Sequence, residues 1–232
     1  CVPMSGFAAL LLSIAANGGE TIYQTVSDSS SSMEHLTKWD NNAALSSSAD
    51  YVSDNSMNIR APSNGRNVTF GGHSLRLGTV DGTATTFIPY GGTYTFNNGG
   101  LILAKGQINT YKSGVNSTLK GLVSVTSPVK SPFEFWLSQG NNKNNSYTLS
   151  AKLSGAEGTG ILVCNRVDGC TGKFILAPAA DSDFAGTIKL CPKDVLKEPY
   201  AIQCELQGSR NVPCTLWVTQ YATLTPQYGS TL

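Results

Sequence analysis

Charge is what this sequence has least of. Asp, Glu, Lys and Arg make up 13% of its 232 residues, and the formal net charge is +1. The sixteen Lys and Arg are scattered singly. A phosphate backbone would find no basic stripe on which to release its counterions, so no nucleic-acid partner is expected. Histidine is reduced to His35 and His73. The chain has no Cys-x-x-Cys pair, zinc-protease helix, EF-hand loop or nucleophile elbow, and "GAEGTG" (155–160) lacks the spacing and helix context of a nucleotide loop. Neither a cofactor nor a metal is therefore expected. The longest apolar run is also too short to span a bilayer.

What the chain has instead is glycine, 24 of them, among abundant Ser, Thr and Asn. That mixture disfavours helical domains and favours short strands punctuated by turns. Alternating segments occur at "NVTFGG", "GTYTFNNGG", "GLVSVTS", "SYTLSAKLSG", "KFILAP" and "YAIQCEL", each ended by Gly, Pro, Ser or Asn. One inward-type residue per segment, namely Phe70, Phe96, Val123, Leu149, Ile175 and Ile202, recurs every 26 or 27 residues. A period in the twenties predicts an all-β solenoid, in which each coil buries its apolar face only by stacking on the next. Two or three strands fit between anchors, for instance "LIL" and "INTY" after Phe96 and "GTIKL" after Ile175. The competing architecture is a β-sandwich. Corners such as Gly71-Gly72 and Asn98-Gly99-Gly100 suit the bends between strands, because Gly and Asn accept positive φ and Asn can also hydrogen-bond backbone.

The organisation along the chain follows. Residues 1–16 read as the remnant of a signal peptide, since "FAALLLSIAANGG" (Phe7 to Gly19) is apolar and turns to small residues at Ser13 and Ala15. A buried first strand or cap is the alternative. Residues 17–66 read as an irregular N-terminal cap with short strands near Tyr23, Tyr51 and Ile59. Residues 67–232 read as solenoid coils, Cys-rich toward the C-terminus.

"GGTYTFNNGGLILAKGQI", "LSGAEGTGILV" and "SDFAGTIKL" resemble the autotransporter-associated β-strand repeats of bacterial passenger regions, over about Val68 to Leu190. The resemblance implies a single-stranded, right-handed parallel β-helix. It also implies an exported protein, secreted or on the cell surface, acting as a stalk or adhesive surface with glycans or other surface components as partners, and not as an enzyme. The chain departs from that family in its cysteine content and in having no C-terminal β-barrel, so a longer chain or another export route is expected.

Six cysteines stand at 1, 164, 170, 191, 204 and 214. "CNRVDGC" and "CELQGSRNVPC" each place two of them across a loop of turn formers, so Cys164–Cys170 and Cys204–Cys214 are the candidate disulfides. Free buried thiols and a zinc site are the alternatives.

Exported β-helices also include polysaccharide lyases and glycosidases, whose chemistry needs two carboxylates at fixed separation. The compact acidic pair is Asp181 and Asp183, which would share one face of a strand and could serve a sugar or a calcium ion; the plainer reading is a polar corner before "GTIKL". His73, in "GGHSL", lies beside a Gly corner, and no nearby Ser, Cys or Asp arrangement suggests a catalytic partner for it. Trp39, Tyr51, Tyr90, Tyr94, Tyr111 and Trp136 are candidate sugar platforms of a glycan-binding module, or else core and end-cap residues. Asn67, Asn116 and Asn144 begin N-glycosylation triplets that an Asn- and Thr-rich chain also produces by chance.

Overall fold

A computed structural model describes residues 19–27, 33–62, 64–79, 82–138, 141–191, 200–207, 213–219 and 222–226. The expected leader at 1–16, and with it Cys1, lies outside the described residues. The strands are β1 (Thr21–Tyr23), β2 (Asp50–Ser53), β3 (Asn58–Arg60), β4 (Val68–Thr69), β5 (Ser74–Leu77), β6 (Thr85–Ile88), β7 (Gly92–Leu103) and β8 (Gly106–Ile108). They continue as β9 (Asn116–Val125), β10 (Phe133–Trp136), β11 (Ser146–Ser154), β12 (Gly160–Cys164), β13 (Lys173–Leu176), β14 (Thr187–Leu190), β15 (Ile202–Leu206), β16 (Thr215–Val218) and β17 (Ala222–Pro226). Among the described residues no helix is long and apolar enough to cross a membrane.

All of these strands pair in parallel, which excludes the antiparallel sandwich. One ten-stranded sheet runs β1-β2-β5-β7-β9-β11-β13-β15-β17, with β4 also on β7; a seven-stranded sheet runs β16-β14-β12-β10-β8-β6-β3. From β5 onward the chain alternates between the two sheets and advances one strand per visit, and the whole is a β-solenoid of about six turns. Strands expected near Tyr23, Tyr51 and Ile59 are β1, β2 and β3. β2 pairs with β5 and β3 with β6, so the stacking reaches back into the segment read as a cap.

Hydrophobic ladders along the axis hold the coils together. Tyr51, Leu75, Leu101, Val123 and Leu153 occupy one inward column, each in register with the next, and all are buried. Tyr94, Leu119, Leu149, Leu176 and Leu206 occupy a second. Each such side chain contributes about 1.5–3 kcal/mol when removed from water. Aromatic rings fill the wider space. Trp39, Tyr51, Phe70 and Phe96 follow one another at centroid distances of 4.8, 5.6 and 5.9 Å, while Phe135 meets both Tyr147 and Phe174.

The register corrects three details of the sequence reading. Leu101 sits against Val123 and Val123 against Leu153, so the steps are unequal and the steady 26–27 spacing holds only as an average. Ile175 is not an inward anchor: it lies in register with Thr148 and points outward, while its neighbours Phe174 and Leu176 are buried. The Asn98-Gly99-Gly100 corner is not the end of a strand either. β7 runs through it with a register shift between Phe96 and Leu101. β4 pairs with the first half of β7 and β5 with the second, so this bend folds the large sheet into two faces. Asn98 and Gly100 take φ of 54° and 78° there, the left-handed region that Asn and Gly tolerate best.

Asparagine also joins coil to coil. The Oδ1 of Asn67 accepts from Thr93 N at 2.9 Å, that of Asn144 from Thr171 N at 2.9 Å, and that of Asn145 from Val115 N at 3.1 Å. Backbone donors left unpaired at the bends are thereby satisfied.

Candidate functional site

The outer face of the seven-stranded sheet carries a recess beside the short connection from β7 to β8. Between β7 and β8 only Ala104 and Lys105 intervene, whereas the connections entering β6 and β10 are longer. The groove has a volume of about 330 Å³ and is floored by Thr86, Gln107 and Glu134, with Lys105, Ser56 and Pro132 at its sides. Thr86, Gln107 and Glu134 are consecutive members of one outward ladder. Gln107 Nε2 donates to Thr86 Oγ1 at 3.2 Å, Trp136 Nε1 donates to Glu134 Oε2 at 2.9 Å, and Lys105 Nζ donates to Gly82 O at 2.6 Å. Glu134 is the one carboxylate among the described lining residues. Those residues therefore do not supply the acid–base pair that glycosidic cleavage needs.

Beside this ladder, two residues further along the strands, Arg60 projects from β3 in register with Ile88. Tyr90 follows β6 and Tyr111 follows β8, so successive corners bring both rings to the guanidinium. Arg60 Nη1 donates to Tyr90 Oη at 2.5 Å. Its Cζ lies 5.7 Å from the Tyr90 ring centroid and 5.4 Å from that of Tyr111. Arg60 Nε is buried without a hydrogen-bond partner. The ion pairs among the described residues are Arg66–Glu34, His73–Asp50, Lys152–Asp181 and Lys173–Glu205, none of which includes Arg60.

The aromatic candidates thus divide. Trp39, Tyr51, Tyr94 and Trp136 are buried and belong to packing, with Arg166 stacked over Trp136 at 4.5 Å. Tyr90 is half-buried and Tyr111 is 50% exposed; these two remain at the surface. Trp217, which the sequence reading did not single out, is also 50% exposed, with Lys189 Nζ 5.2 Å from its ring.

Asp181 and Asp183 are both exposed and alternate with inward Ser182 and Phe184, so they do share a face. Their segment is a turn in the connection after β13, where Ser182 N donates to Ala179 O at 3.2 Å. Asp183 N donates to Leu153 O, and Lys152 Nζ sits 3.0 Å from Asp181 Oδ2. That hydrogen bond raises the Lys152 pKa above its ordinary value. The pair lies along the large sheet, away from the groove on the small one.

His73 has the partners that the local sequence did not show. Its Nδ1 is 2.8 Å from Asp50 Oδ1, and Ser74 Oγ donates to the same oxygen at 2.5 Å. Asp50 stands one coil away, in register with Ser74, so no local motif signals the meeting. Burial by itself raises the Asp50 carboxyl, but hydrogen bonds from Ser74 and His73 and the charges of His73 and Arg76 outweigh it and hold the group below its ordinary value. The arrangement is no nucleophilic triad, since the serine hydroxyl is bonded to the carboxylate and not to the imidazole. His35 Nδ1 lies 3.0 Å from Thr37 Oγ1 on the surface.

Among the described cysteines, Cys164, Cys170, Cys191, Cys204 and Cys214, no two are joined in a disulfide. Cys164 lies outside the small sheet, beyond inward Val163, with Sγ 3.6 Å from Phe135 O; Cys170 joins the core, with Sγ 3.6 Å from Leu137 O. The two thiols therefore reach different carbonyls, and the expected Cys164–Cys170 bridge is not formed. Cys204 and Cys214 both pack on the core and are likewise unbridged; residues 208–212 of the loop between them are outside the described set. Burial, Glu205 and the neighbouring Cys214 push the Cys204 thiol up to about 12. Among the described residues no three His, Cys, Asp or Glu side chains gather as metal ligands.

Compared with family models, curated proteins and solved structures, the chain matches none.

Proposed function

We propose that this chain is an exported, non-catalytic surface module, structural or adhesive, of the autotransporter passenger type. One observation carries the reading: apolar ladders run from coil to coil inside, while several outward columns bear small polar groups. Thr93, Thr118 and Thr148 form one such outward column, and Ser124 and Ser154 share a hydrogen bond at 2.9 Å in another. A solenoid built this way lengthens by adding coils and presents a long, hydrated surface. That property suits a stalk or an adhesive face, and it requires no reactive cluster.

The test is location. Antibodies raised against the purified chain should label intact source cells or the culture medium; label that appears only after permeabilisation overturns the reading. A polysaccharide-cleaving enzyme is the competing function. Across a substrate panel the wild-type chain should release no new chain ends, and depolymerisation that disappears with Asp183→Ala would establish the enzyme instead.

A further inference from the structure

We propose that Tyr90, Arg60 and Tyr111 form a recognition site for a carboxylate-bearing sugar, part of an acidic polysaccharide lying on the outer face of the small sheet. This inference rests on the adhesive reading and names the chemistry of its partner. Three observations converge on it.

The first is the guanidinium without a counter-ion. Among the described residues Arg60 makes one side-chain hydrogen bond, from Nη1 to the Tyr90 hydroxyl, and no ion pair; its Nε is buried, so the Nη1–Nη2 end is the edge that a ligand can meet. A planar cation held between two rings is oriented before any ligand arrives, so less ordering entropy opposes binding. Its fork of donors matches the two oxygens of a carboxylate.

The second is the exposed ring. Half of Tyr111 is open to solvent, beside a cation that a bound anion would neutralise. An aromatic body with a polar tip suits the mixed apolar and hydroxylated surface of a pyranose.

The third is the adjoining groove. Thr86 on its floor lies two residues along β6 from Ile88, the register partner of Arg60. Gln107 and Ser56 add an amide and a hydroxyl at the same recess, the hydrogen-bonding complement of sugar hydroxyls. Arg60 of the cluster and Lys105 of the groove stand against one lining carboxylate, Glu134, a balance that favours an anionic ligand.

The experiment is calorimetric titration of the full chain with a galacturonic-acid trisaccharide, with its carboxyl-reduced galactose counterpart, and with a sulfated trisaccharide lacking carboxylates. The acid trimer should bind at least ~10-fold more tightly than either comparator. Arg60→Lys, which keeps the charge but loses the fork, should weaken the acid trimer ~10-fold. Tyr111→Ala should weaken it by several-fold and leave the melting curve unchanged, so the result does not depend on how Arg60→Lys folds. No binding, equal binding of acid and neutral trimers, or a Tyr111→Ala titration identical to wild type overturns the proposal. Tighter binding of the sulfated trimer overturns the carboxylate assignment. Cell labelling decides the surface reading separately: a displayed protein that ignores acidic sugars would sink this inference alone.

Discussion

Gly121 lies against Phe96 of the preceding coil so closely that a Cβ on it would stand 2.0 Å from the Phe96 carbonyl oxygen. The contact sits where β7 and β9 change register, and Gly121 takes a φ of 86°. Both the space and the backbone therefore demand glycine. Gly121→Ala should destabilise the fold by ~3 kcal/mol or more. Gly169→Ala is the control: φ is 67° but nothing lies within 4 Å of the added atom, so only the conformational cost of about 1 kcal/mol remains. Urea unfolding midpoints compare the two.

The Asp50 carboxyl is held below its ordinary value by Ser74, His73 and Arg76 against the opposing effect of burial. A depressed folded-state pKa means stability that is present above the unfolded value, about 3.9, and is lost as pH falls through the folded one. Thermal melts of the wild type should therefore lose stability as pH falls below about 4. Asp50→Asn should be less stable at neutral pH and should show a shallower acid slope. An unchanged slope would mean that other carboxylates dominate acid unfolding.

Tyr147 is fully buried against Phe135, yet its hydroxyl has no hydrogen-bond partner. Burial and the neighbouring Cys164 and Cys170 push its phenol well above the ordinary range. An unsatisfied buried hydroxyl costs about 1–3 kcal/mol. Tyr147→Phe keeps the ring and removes that atom, so it should leave stability unchanged or raise it by ~1 kcal/mol. A drop in melting temperature would show that the hydroxyl is satisfied in solution.

The facing of the ladders is checked by Leu153→Ala against Ile175→Ala. Leu153 is inward and fully buried, whereas Ile175 is outward and only partly so. The first substitution opens a cavity and should cost about 2–5 kcal/mol; the second should cost about 1 kcal/mol or less. Equal costs would contradict the register of β11 and β13.

Legibility differed from one part of the chain to another. Every alternating segment taken as a strand from Val68 onward is part of the large sheet, because alternation over a half-buried face leaves a period-two trace. The strands of the small sheet were harder to see. "FEFW" and "GILVC" carry buried residues on both sides, so their period is blurred. Ile175 was misread for a related reason: in "KFIL" three apolar residues run together, and composition does not say which two point inward. The meeting of Asp50 with His73 and of Arg60 with two tyrosines depends on coil registers that unequal loops shift, so no spacing in the sequence announces them.

By itself the sequence determined that this chain would stack. Glycine, asparagine and short alternating runs supply bends and half-apolar strands, and such strands are stable only when neighbours cover them. Tertiary structure alone decided which residues meet across coils: the loop of each turn sets how far the next is offset, and a change of one residue sends a side chain to the opposite face. The groove beside Lys105, the cation between Tyr90 and Tyr111, and the carboxylate shared by His73 and Ser74 all arise from those offsets.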